Sequence, residues 1–225
     1  SANINNLDKN GAGALMFRVQ NPANPKDGCY VMNADYKNNI FKLFEFPSGA
    51  SIAEVPLSDV EPNADGSYDM KVVVVGEDIY VYANGKGIMR EKDSRHKGEG
   101  YLGLLTWEGN IMYQNLNHKA ASDLPIVEDA QLSDFQVLTD GVTITPAFDP
   151  EVKNYGMDIP AGVDRVDVKP QSNGDVYITL KDRNGKVTKE KQKVTDTFAL
   201  TAEDFDMNFL NMEITVEKDG FSRNI

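Results

Sequence analysis

The stretch Trp107-Glu108-Gly109-Asn110 sets an aromatic plate beside an acid at a tight turn. Trp107 is the single tryptophan of the chain, and a turn is where core packing needs it least. An indole at a loop edge can lie against the apolar C–H face of a sugar ring. Such a site also needs charged or amide groups for the hydroxyls, because ionised partners make the stronger hydrogen bonds. Glu108 adjoins the indole. Arg18 stands in Leu15-Met16-Phe17-Arg18-Val19, where alternation puts Leu15, Phe17 and Val19 on one face and Met16 and Arg18 on the other. With the first face in the core, Arg18 points out of the sheet and could fork to two neighbouring hydroxyls. Asp27 and Tyr30 flank the loop after that strand.

Each candidate has a plainer reading. Trp107 could cap the end of the core, and Arg18 could pair with an acidic neighbour on the sheet. Asp27 before Gly28 could serve only the turn, and Tyr30 could be core. Asp93 and Arg95 read as a solvated loop. His96 and His118 are too isolated for zinc, which takes three or four ligands at set spacings. No cofactor is expected, although calcium in an Asp-rich loop of either half stays open without any EF-hand spacing. Catalysis is not expected either. No G-x-S-x-G, H-E-x-x-H or P-loop pattern occurs. A glycosidase needs two carboxylates set across a cleft, and abundance of acids does not make such a pair.

The elements that must position these residues are strands. The chain has 225 residues, 40% of them apolar, and no apolar run near the roughly 18 residues of a membrane span. Its net charge of −12 disfavours phosphate backbones and anionic membranes, which need clustered Lys and Arg. The lone Cys29 rules out an internal disulfide. Runs such as Ala14–Val19, Cys29–Asn33, Ile40–Phe44, Tyr68–Val75, Ile79–Tyr82, Tyr101–Thr106 and Ile111–Leu116 are β-branched or aromatic, and turn signals separate them. Asn84-Gly85 is the strongest hairpin signal. His118–Pro125, small and polar, reads as a domain boundary between residues 1–120 and 126–225. The second part is again strand after strand, with Asp140-Gly141, Asn173-Gly174 and Asn184-Gly185 as turns. Thr201–Phe205, with Thr201 as N-cap, hints at one helical turn. Two consecutive all-β sandwich domains follow from this pattern.

The first half carries an ordered series: Ala14–Val19, Asp27–Val31, Lys71–Gly76, Tyr80–Gly85, Lys97–Leu104 and Tyr113–Asn115. Over residues 10–117 it resembles the concanavalin A-like jelly rolls attached to bacterial fructan hydrolases, the family 66 carbohydrate-binding modules. The second half, through Leu132–Phe135, Gly141-Val142, Pro146-Ala147-Phe148-Asp149-Pro150 and Asn154-Tyr155, resembles the cadherin-like β-sandwich of bacterial surface proteins. The resemblance implies a non-catalytic module binding a fructan such as levan or inulin, accessory to an extracellular or cell-surface family 32 glycoside hydrolase. A structural or adhesive surface protein, or a jelly-roll glycosidase, are the alternatives. Few residues precede the Phe17-Arg18 strand for such a jelly roll, so missing N-terminal strands and a second polypeptide segment in trans are expected. Neither nucleic acid nor membrane insertion is expected.

Overall fold

A computed structural model describes residues 1–120, 128–205 and 209–224. The chain divides into two compact units, 1–126 and 127–225. The boundary expected at His118–Pro125 runs into residues 121–127, outside the described residues. Both units are almost wholly β, as the strand pattern requires. No described helix is long and apolar enough to cross a membrane.

Among its described residues unit 1 has ten strands: β1 (Ala2–Asn6), β2 (Ala12–Val19), β3 (Cys29–Asp35), β4 (Ile40–Phe46), β5 (Ser51–Pro56), β6 (Tyr68–Val75), β7 (Asp78–Ala83), β8 (Lys86–Lys92), β9 (Tyr101–Trp107) and β10 (Ile111–Gln114). They form two antiparallel five-stranded sheets, β10-β1-β6-β7-β8 and β5-β4-β3-β2-β9. The core packs Ile4, Met70, Ile79 and Val81 of the first sheet with Leu15, Phe17, Tyr30, Met32, Phe41 and Leu43 of the second. Each fully buried side chain of this size contributes about 1.5–3 kcal/mol of transfer free energy. Asn84 and Gly85 both take positive φ between β7 and β8, as their sequence demands.

Three features of unit 1 go beyond the sequence reading. A strand lies within the first six residues, where Ala2-Asn3-Ile4-Asn5-Asn6 carries no β-branched alternation, and it pairs with β6 and β10 on its two sides. Trp107 ends β9 and Ile111 begins β10, yet these strands join different sheets, so the turn between them is a corner and not a hairpin. Third, β2 slips register between Met16 and Val19, with Arg18 at φ +50°. This bulge moves Val19 to the outer face with Ala14 and Met16, away from Leu15 and Phe17.

Among its described residues unit 2 has nine strands: β11 (Leu132–Val137), β12 (Thr143–Thr145), β13 (Gly156–Asp158), β14 (Arg165–Ser172), β15 (Asp175–Lys181), β16 (Val187–Val194), β17 (Phe198–Thr201), β18 (Asn211–Lys218) and β19 (Phe221–Asn224). They make sheets β11-β14-β17, β12-β13 and β16-β15-β18-β19 around Leu132, Val166, Val168, Ile178, Leu180, Leu200 and Val216. The Pro146–Tyr155 motif closes on itself: the Phe148 and Tyr155 rings stack at 6.1 Å, and the Tyr155 hydroxyl accepts from Asp149 N–H at 3.0 Å. The expected helical turn is a 3-10 turn over Ala202–Asp204, where the Asp204 carboxylate accepts from Thr201 N–H and Oγ1–H at 2.8 and 3.2 Å.

Candidate functional site

The outer face of the second sheet of unit 1 holds a hollow of about 510 Å³. Strand register builds it. One row across the sheet reads Trp107, Ala12, Asp35, Ile40, and the next reads Leu105, Ala14, Asn33, Lys42, Glu54. Ala12 in β2 is small, and the trough lies between the Trp107 ring on β9 and the Phe44 and Phe46 rings on β4. Those strands are three steps apart, roughly 14 Å at the usual inter-strand spacing. Trp107 is 53% exposed. The Lys26 ammonium, brought by the loop between β2 and β3, sits 5.7 Å from the Trp107 ring centre and 5.7 Å from that of Phe46, within cation–π reach.

The rim is polar and mutually braced. Lys37 pairs with Glu108 at 2.9 Å, Lys42 with Glu54 at 3.0 Å, and Asp35 accepts from Asn38 N–H and Nδ2–H at 3.0 and 2.8 Å. The bond to Glu108 holds the Lys37 amine above its ordinary pKa. The corner bearing Trp107 is pinned against the chain before β2. A Cβ on Gly109 would lie 1.7 Å from Asn10 O, and one on Gly11 would lie 2.3 Å from Trp107 O. Both glycines have positive φ, so no other residue type fits either place without strain. At the floor, Asn33 Oδ1 is sealed from solvent and has no hydrogen-bond partner. A buried acceptor left unpaired costs about 1–3 kcal/mol.

Of the five candidates, the structure brings Trp107 and Glu108 to the hollow. Arg18 and Tyr30 do not line it. The bulge turns the Arg18 guanidinium to backbone carbonyls, His96 O at 2.7 Å and Gly76 O at 2.6 Å. The cation beside the indole is therefore Lys26, and among the described residues Arg18 bonds carbonyls and forms no ion pair. Tyr30 is fully buried. Its hydroxyl donates to Asp93 Oδ1 at 2.6 Å and accepts from His96 N–H at 3.0 Å. Asp27 accepts from Asn21 Nδ2–H at 2.8 Å and from Asn24 Nδ2–H, which makes it the staple of the loop that carries Lys26.

The loop Asp93–Lys97 is accordingly no free solvated segment. Asp93 and Glu45 both bond Arg95, and Glu45, with a side chain 4% exposed, also accepts from Ser48 and lies 3.4 Å from His96 Nε2. Arg95 beside it holds the Asp93 carboxyl well below the usual carboxylate range. Burial, reinforced by the bond to Asp93, pushes the Tyr30 phenol up to about 12. An unfolded tyrosine titrates near 10. Between those values the unfolded chain loses the proton that the folded chain keeps, so stability is full below about pH 10 and falls as pH rises toward 12. The stability at stake is on the order of 2–3 kcal/mol. Tyr30→Phe is expected to flatten the decline of the unfolding midpoint between pH 10 and 12. An unchanged slope would show that other groups drive it.

Sequence reading missed Asn33, Lys42, Phe44 and Phe46. The available signal was two phenylalanines at alternate positions of β4 opposite the core-facing Phe41 and Leu43, since a strand with large apolar groups on both faces covers more than one core.

Fold and hollow together define a β-sandwich with an aromatic-edged trough on one sheet face. No family model matches the chain. Among curated proteins it is similar to a fructan beta-fructosidase of Streptococcus mutans, 30% identical over 131 residues, and to a levanase of Bacillus subtilis, 33% identical over 112 residues. These matches cover 53% and 49% of this chain but only 9% and 16% of the relatives, so the chain spans a small part of their length. Among solved structures it is similar to the carbohydrate-binding module CBM66 from Bacillus subtilis, at 31% identity and a TM-score of 0.43, over 51% of this chain and 69% of that one.

Proposed function

We propose that unit 1 is a non-catalytic carbohydrate-binding module for a fructan, accessory to a glycoside hydrolase. One observation carries the reading: a half-exposed indole and an unpartnered buried amide oxygen share one trough. A sugar supplies both complements, an apolar C–H face for Trp107 and a hydroxyl donor for Asn33 Oδ1. Glu108, Lys37 and Lys26 stand at the rim to bond further hydroxyls. The partial matches to a fructan beta-fructosidase and a levanase support fructan as the polymer. Asp35 and Glu108, the carboxylates lining the hollow, are both taken up by Asn38 and Lys37, which favours binding over hydrolysis. Tethering raises the local concentration of polymer at a linked catalytic domain, and one small site gives weak affinity for a single sugar. A fructan polymer does not cross a membrane unaided, so the module acts extracellularly or at the surface. Unit 2 serves as a cadherin-like spacer.

Titration with levan, inulin and fructose tests this through the fluorescence of Trp107. A saturable shift with a fructan is expected, and Asn33→Leu should weaken it about fivefold, the worth of one hydrogen bond of about 1 kcal/mol. Flat emission with all three sugars would leave the protein a spacer, and release of free sugar from the fructan would make it an enzyme.

A further inference from the structure

The sequence holds four Asn-Gly pairs, Asn10-Gly11, Asn84-Gly85, Asn173-Gly174 and Asn184-Gly185, and the fold leaves one of them unguarded. Asparagine before glycine is chemically labile, because no Cβ shields the next backbone nitrogen from the carboxamide carbon. Attack by that nitrogen needs a carboxamide free to turn and a backbone free to bring the two atoms together. Three pairs are held. Asn84 Oδ1 accepts from Asp69 N–H and its Nδ2–H donates to Glu61 O, 2.7 Å each. Asn173 Oδ1 accepts from Gln131 N–H at 2.9 Å, its Nδ2–H donates to Asp129 O at 2.7 Å, and Gly174 N–H is engaged by Ser172 Oγ at 3.2 Å. At Asn10 the backbone is locked: its carbonyl accepts from Asn6 Nδ2–H at 2.6 Å, and it lies so close to Gly109 that a Cβ there would come within 1.7 Å. Asn184 is not held. It lies exposed in the turn beyond the last rung of β15 and β16, Lys181 with Val187. Among the described residues nothing bonds its carboxamide or its carbonyl. Gly185 N–H donates to Asp182 O at 3.0 Å, but the turn leads into an edge strand whose residues 187–193 are all exposed. A tip with so little packing opens locally at small cost.

We propose that Asn184 is a modification site of this chain, the position where water converts a carboxamide to a carboxylate without an enzyme. When the turn opens, the Gly185 nitrogen gives its proton to solvent base and attacks Asn184 Cγ. The N–Cγ bond forms, the Cγ–Nδ2 bond breaks, and Nδ2 takes a proton from solvent and leaves as ammonia. The product is a five-membered succinimide. Water then adds to one of its two carbonyls and breaks that carbon's bond to nitrogen. Opening at Cγ leaves aspartate. Opening at the backbone carbon leaves isoaspartate, with the main chain routed through the side chain. Nothing is oxidised or reduced, and the net change is one water in and one ammonia out. Either product disturbs the turn that made it. Asp182 Oδ1 caps that turn, accepting from Asn184 N–H and Lys186 N–H at 2.8 and 2.9 Å. Aspartate sets a second carboxylate two residues from this one, and isoaspartate lengthens the main chain by one carbon inside the capped loop.

The test incubates the intact chain in mildly alkaline buffer, samples it over weeks, and follows the four Asn-Gly peptides by mass spectrometry after digestion. Asn184 is expected to convert at least about tenfold faster than Asn10, Asn84 or Asn173, since it needs only local opening of a hairpin tip. Hydroxylamine, which cleaves a succinimide, should split the native chain between residues 184 and 185. In denaturant the four rates should converge, because there the fold protects none of them. Asn184→Gln, at an exposed turn position, should silence the site and leave the other three rates unchanged. Equal rates in the native chain, faster conversion at another pair, or a preference for Asn184 that persists in denaturant would each overturn the assignment.

Discussion

Trp107→Ala is expected to abolish retention of the protein in a levan affinity gel while leaving its far-ultraviolet circular dichroism unchanged. The indole is 53% exposed, so its removal costs the fold little packing. Its loss to the site is larger. The trough floor includes Ala12 and Asn33, and without the indole its β9 side has no flat apolar wall for a sugar ring. Aromatic contacts dominate the energetics of sites of this kind, and a loss of at least about 1.4 kcal/mol, tenfold in affinity, is expected. Trp107→Phe should restore part of the retention, because a smaller plate still faces Phe46 and Lys26. Retention unchanged in Trp107→Ala would move the sugar elsewhere. Collapse of the dichroism would instead make the indole a support for the corner that Gly11 and Gly109 pin.

The same residues show how far the sequence could be read. Tyr68–Val75 and the Asn84-Gly85 turn were legible because alternation and turn chemistry are local properties. Arg18 was not, because one extra residue in a ladder reverses every later side chain, and nothing in Phe17-Arg18-Val19 announces the bulge. β1 was illegible for a different reason. The Nδ2–H of its buried Asn3 donates to Ser67 and Asp69, 64 and 66 residues away, and no local window contains those partners. In β4 the alternation is confounded, since Phe44 and Phe46 face the hollow while Glu45 faces inward among buried groups. The exposed indole could be inferred, because a lone tryptophan at a turn is a local anomaly. Its neighbours Asn33 and Lys26 come from strand register and a folded-back loop, and the sequence held no sign of either.

Glu45 leads to the second large effect. Arg95→Ala is expected to destabilise unit 1 by about 2–3 kcal/mol, lowering its unfolding midpoint by roughly 10 °C. Arg95 bonds Glu45 Oε1 at 3.0 Å and Asp93 through Nε and Nη2, and both carboxylates are mostly buried. Removing the guanidinium leaves two negative charges facing each other across Tyr30 and His96. The loss stays below the roughly 3–5 kcal/mol typical of a broken buried pair, because Arg95 is partly exposed, water can enter, and Ser48 still bonds Glu45. Glu45→Gln in the Arg95→Ala background removes one charge and should recover about half of the loss. The pH dependence identifies the cause. Asp93 is held below its ordinary pKa chiefly by its bond to Arg95, so the stability it contributes is present above about pH 4 and fades as acid drives its protonation in the fold. The gap between parent and variant should therefore narrow progressively below about pH 4. A gap that stays constant down to pH 2, or a midpoint unmoved at pH 7, would show that Arg95 contributes packing by its stem alone and that the carboxylates are stabilised by other means.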